Sequence, residues 1–109
     1  MRRADPQELR EDARPALLLA LSESRLRELF PVDFSPVESE PEPSHAALVQ
    51  LMSGAYVVVM YGTITRRATV SFPVSADVHD AIESLLREVP LQSAEILWTA
   101  DAPHRVGAR

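Results

Sequence analysis

The chain has 109 residues, a formal net charge of −5, 46% apolar residues and no cysteine. That length holds one sheet layer with one or two covering helices, and the apolar share is that of a globular domain. The negative balance argues against a nucleic-acid binder, no apolar run approaches the ~20 residues of a bilayer span, and disulfides, thiolate nucleophiles and cysteine-ligated metals are excluded.

Charge is unevenly distributed along the chain. Residues 45–75 contain no acid, only Arg66 and Arg67, whereas 22–44 carry six acids against two arginines. The middle segment reads as core and its flanks as solvated surface. All eleven basic residues are arginine, which suits GC-rich bacterial coding and excludes a Schiff-base or phosphate-loop lysine. The expected location is the cytoplasm, with no membrane partner.

In chain order, Asp5-Pro6-Gln7-Glu8 has the cap, first-turn proline and reciprocal acid of a helix start, cut short by Pro15. Ala16 to Phe30 is rich in helix formers, with Leu26, Leu29 and Phe30 at helical spacing, so the expectation is one helix over about 16–30. A strand at 16–21 feeding a helix at 23–30 is the competing reading. Residues 1–30 are thus expected as an N-terminal helical segment. Four prolines among glutamates and serines make 31–44 an expected extended acidic linker. Ser44 then caps an expected helix to about Met52, closed by Ser53 and Gly54.

The strand signal is clearest at Tyr56 to Tyr61, apolar on both alternations as in a strand covered on both faces. Val70, Phe72 and Val74 alternate with polar residues in a second strand, which Pro73 confines to an edge or brings to an end. Val78, Ile82, Leu85, Leu86 and Val89 form one helical stripe over about 76–88, capped by Ser75 or Asp77 and stopped by Pro90. A last strand follows, with Ile96 and Trp98 on one face and Leu97 on the other. The tail 101–109 looks frayed.

The fold class is therefore α+β: a small mixed three-stranded sheet, strands about 55–61, 68–74 and 95–99, packed on helix 76–88 within a core of residues 45–100. The run Thr69-Val70-Ser71-Phe72-Pro73-Val74, then Ser75-Ala76-Asp77-Val78 opening a helix, then Ile96-Leu97-Trp98, resembles the first half of a ubiquitin-like β-grasp domain. A ferredoxin-like sheet or an incomplete β-grasp gives the same string. The chain has no C-terminal diglycine, so the resemblance implies a binding module rather than a conjugated modifier.

Chemistry has little foothold. His79 and Glu83 lie four apart on the polar side of the 76–88 helix and could share a metal, but two ligands on one exposed face do not make a site. No serine sits in a nucleophile elbow, and three glycines build no phosphate cradle. No catalytic, cofactor-binding or metal residues are expected. One helix covers one sheet face, and the doubly apolar strand needs cover on the other, from the N-terminal helices or another chain. The leading expectation is a non-enzymatic interaction or assembly module, a homodimer or a subunit of a larger complex. It would bind through Tyr56, Val58, Met60 and Leu97 on the sheet and Arg66 and Arg67 at the hairpin tip. The alternative is a small-molecule binder or minor enzyme with a pocket between sheet and N-terminal helices, using Tyr56, Tyr61, His79 or Trp98.

Overall fold

A computed structural model describes residues 1–38 and 42–101. Seven strands and two α-helices follow in the order β1 (Arg2–Arg3), β2 (Ala13–Ala20), α1 (Glu23–Leu29), β3 (Ser35–Val37), β4 (Ser44–Gln50), β5 (Tyr56–Gly62), β6 (Arg67–Pro73), α2 (Val78–Glu88) and β7 (Ile96–Thr99). All strands join one sheet in the order β1-β4-β5-β6-β2-β7, with β3 also paired to β4. Every pairing is antiparallel. The α+β class holds, but the sheet has seven strands where three were expected.

The additional strands come from segments expected as helix or linker. Residues 13–20 form a central strand between β6 and β7, the competing reading of this stretch, and only 23–29 are helical. Leu17 and Leu19 are fully buried whereas Leu18 between them is half-exposed, a period of two that the leucine run conceals. Helix propensity favours Leu and Ala by only tenths of a kcal/mol per residue, and pairing with two neighbouring strands overrides it. The helix expected at 44–52 is strand β4 for the same reason: Ala47 and Val49 turn inward in register with Val59 and Val57 of β5. Gly54, at φ +92°, makes the tight return, donating to the Leu51 carbonyl at 2.9 Å.

The stretch expected as an acidic linker contains β3, paired with Ser44–Ala46. Glu42 is also docked: its carboxylate accepts from the Ile64 and Thr65 amides at 2.8 and 3.0 Å and from the Thr65 hydroxyl at 2.7 Å. Glu40 and the tail from 102 onward lie outside the described residues. The Asp5 capping box is present, on a 3-10 turn at Pro6–Glu8. Pro73 ends β6, so its missing amide costs the ladder nothing. Asp77 caps α2, accepting from the Asp80 amide at 3.0 Å.

Helix α2 connects the β5–β6 hairpin to β7, and β2 lies between β6 and β7 in the sheet. The alternation expected for β7 also fails. A register shift between Leu18 and Leu19 leaves Leu97 as an extra residue, so Ile96 pairs with Leu19 and Trp98 with Leu18 on opposite faces.

Both helices cover the same face. The buried cluster takes Ala47 and Val49 from β4, Val57, Val59 and Tyr61 from β5, Ala68, Val70 and Phe72 from β6, and Leu17 and Leu19 from β2. Leu26, Leu29 and Phe30 at α1 and Ile82, Leu85 and Val89 at α2 close over them. Arg25 ties the layer together, donating to Glu95 at 2.8 and 3.1 Å and to the Pro90 carbonyl at 3.0 Å. Beside Glu95 the Arg25 guanidinium is held more firmly protonated than usual, and the Glu95 carboxyl is pulled below its ordinary range. No helix among the described residues is long and apolar enough to cross a membrane.

Candidate functional site

Strand alternation puts the other half of each strand on the face away from the helices. Pairing runs straight across it: Ala46 opposite Met60, Met60 opposite Thr69, Thr69 opposite Leu18 and Leu18 opposite Trp98. One row along, Leu48 faces Val58, Val58 faces Ser71 and Ser71 faces Pro15. None of these nine side chains carries a charge. Five strands at about 4.8 Å spacing make the patch about 20 Å wide, so these rows cover roughly 300–400 Å². That is the size of the largest apolar patch on an ordinary monomer, and such patches are commonly functional.

Exposure separates the two faces. Along β5, Val57 and Val59 are at 0% and Tyr61 at 3%, whereas Tyr56, Val58 and Met60 remain half-exposed. Trp98, at 48%, is the most open large side chain of the rows. Among the described residues neither α-helix lies over this face; the 3-10 turn at Pro6–Glu8 reaches only its Tyr56 end. The N-terminal segment, expected as its cover, instead supplies β2 to the sheet and α1 to the opposite layer.

Of the expected partner residues, Tyr56, Val58 and Met60 lie on this open face. Leu97, 47% exposed, sits at the bulge on the β7 edge. Arg66 is in the exposed turn between β5 and β6, at φ 56° with its carbonyl accepting from the Leu21 amide, whereas Arg67 opens β6 opposite Gly62 and Ala20, in alternation with Thr69, and so marks one end of the open face. Sequence reasoning missed Leu18, Ala46, Leu48 and Thr69 as members of the face. Leu17 to Leu19 bears the same doubly apolar signal as β5 and could have been read as a second central strand.

The residues expected to line a pocket are dispersed and engaged. Tyr61 donates to the Leu21 carbonyl at 3.0 Å inside the helix-covered face, and its burial pushes the phenol pKa up. Tyr56 donates to Glu8 at 3.1 Å, His79 contacts Asp101, and Trp98 is on the open side. A cleft does lie between α1 and the sheet, lined by Leu26, Phe34, His45 and Tyr61, but its volume is about 120 Å³. Ligand pockets for small molecules usually run about 300–1,000 Å³. A second cleft, about 210 Å³, lies between Pro15, Phe72 and Val78. Comparison of the chain with protein-family models, curated proteins and solved structures finds no match.

Proposed function

We propose that the protein is a non-enzymatic interaction module that pairs with a second copy of itself through the open sheet face. The observation that carries this reading is the uncharged set of Leu18, Val58 and Met60, half-exposed, with Trp98 at 48%, on a sheet whose two helices lie together on the other side. A second copy is favoured as occupant for two reasons. Its central rows are uncharged, with the Arg2–Glu8 ion pair at the Tyr56 end and Arg67 at the opposite end, so a two-fold axis through the middle stacks apolar rows without setting like charges against each other. Two such sheets stack about 10 Å apart, and the rows would form the apolar centre of an interface whose polar rim has to make up the rest of the roughly 800 Å² per partner of a standard one. The two clefts described above are too small to favour the alternative of a small-molecule binder or minor enzyme. A wider, open depression of about 450 Å³ between β1 and α1 is lined by Arg2, Arg3, Arg27, Val32 and Asp33 rather than by the tyrosines, histidine or tryptophan expected there. A cytoplasmic assembly role, alone or within a larger complex, is consistent with this reading.

Molar mass by light scattering, followed across micromolar concentrations, tests it. The intact chain is expected to run as a dimer. Met60→Lys places two like charges near the axis and should shift the protein to monomer while leaving its circular dichroism unchanged, since Met60 is half-exposed in the single chain. A stable monomer at every concentration would contradict the reading.

A further inference from the structure

We propose that His79, Glu83 and Asp101 form a binding site for a first-row divalent cation of the Zn²⁺ class. His79 and Glu83 are one turn apart on α2, so both project from the same side of the helix. The third member arrives from β7. The Ala100 amide donates to the Ala16 carbonyl at 2.8 Å, which carries the chain past β2 and delivers Asp101 against the helix. The Asp101 side chain is fully buried, with Oδ2 2.7 Å from His79 Nδ1. One ligand atom from each of the three lies within 4.8 Å of the other two.

That spacing is close to what a cation requires. Metal–ligand bonds of about 2.0–2.2 Å put pairs of ligand atoms roughly 3–4.3 Å apart around a single ion. The remaining few tenths of an ångström are within reach of small rotamer changes at His79 and Glu83, which are only half-buried. Asp101, locked in place, is the fixed anchor. The donor set then selects the ion. Two carboxylates balance a divalent charge, one imidazole favours first-row transition ions over Mg²⁺ and Ca²⁺, and there is no thiolate to favour softer metals. Three protein ligands leave a position for water or for a group from a partner. Bound there, the ion would clamp the end of β7 to α2. The site lies on the α2 side of the molecule and does not depend on what covers the open sheet face.

Zinc chloride titrated calorimetrically into the chelator-stripped full-length protein tests the proposal. Saturable binding of one ion per chain is expected, with a rise in the thermal midpoint and at least 100-fold weaker binding of magnesium. Glu83→Gln and His79→Gln should each weaken zinc binding tenfold or more, while His45→Gln, on β4, should leave it unchanged. Glu83 is half-buried on the helix surface, so its conservative replacement keeps the fold intact, which circular dichroism can verify. Absence of saturable binding would overturn the proposal, as would zinc affinity that survives intact in both Glu83→Gln and His79→Gln.

Discussion

At the scale of single residues, two carboxylates give the sharpest expectations. Glu8 accepts from the Arg2 guanidinium at 2.5 and 3.2 Å, from the Asp5 amide at 2.7 Å and from the Tyr56 hydroxyl at 3.1 Å. The Arg2 hydrogen bonds, then the Asp5 amide, hold its carboxyl at about 2, below the ordinary 4.5. A folded-state value below the unfolded one means the contribution is fully present above about 4.5 and is lost as pH falls from there toward 2. Thermal midpoints are therefore expected to drop across that window, and Glu8→Gln should flatten this limb of the profile. Glu42 presents a steric counterpart. A Cβ placed on Gly62 would lie 2.6 Å from the Glu42 carboxyl carbon, which the Ile64 and Thr65 donors hold in place. Gly62→Ala should destabilise the protein, and the same substitution in a Glu42→Ala background should cost distinctly less. Equal losses in the two backgrounds, measured by urea denaturation, would refute the clasp.

At the scale of elements, legibility depended on whether a segment's partners are near in sequence. Helix α2 is self-contained: Asp77 caps it, and of its stripe Ile82, Leu85 and Val89 are buried and Leu86 partly so, whereas Val78 in the first turn is exposed. Ile82→Ala and Leu85→Ala should each cost about 2–5 kcal/mol in urea unfolding, because both side chains are fully enclosed between helix and sheet. Strands β5 and β6 were legible too, since each pairs with the other across a short turn. Strand β2 was not. Its partners, Arg67–Pro73 and Ile96–Thr99, are about fifty to eighty residues away, and nothing within Ala13–Ala20 reveals them. Strand β4 posed the same difficulty on a smaller scale: Ser44 and a run of Ala and Leu imitate a capped helix, and only the ladder to β5 decides otherwise. Asp101 was the least legible of the candidate ligands, because its approach to His79 spans 22 residues and depends on where β7 docks.

At the scale of the whole molecule, the arrangement is one covered face and one open face. The acid-free stretch 45–75 is the sequence correlate of that asymmetry, because it supplies β4, β5 and β6, the strands that carry much of both faces. The doubly apolar β5 implied cover on two sides, and α1 and α2 provide it on one. Burying a fully exposed apolar side chain of this size gains about 1.5–3 kcal/mol, and the partly covered side chains of this face offer a partner a fraction of that each. Trp98 is the single tryptophan of the chain and lies within the open rows, so it reports on this face alone. The most direct measurement is its fluorescence emission across a dilution series that brackets the dissociation of the dimer. The account predicts blue-shifted, quencher-resistant emission at high concentration that moves to the red and becomes quenchable on dilution. Emission that stays red and fully quenchable at every concentration, in a protein of any molar mass, would contradict it.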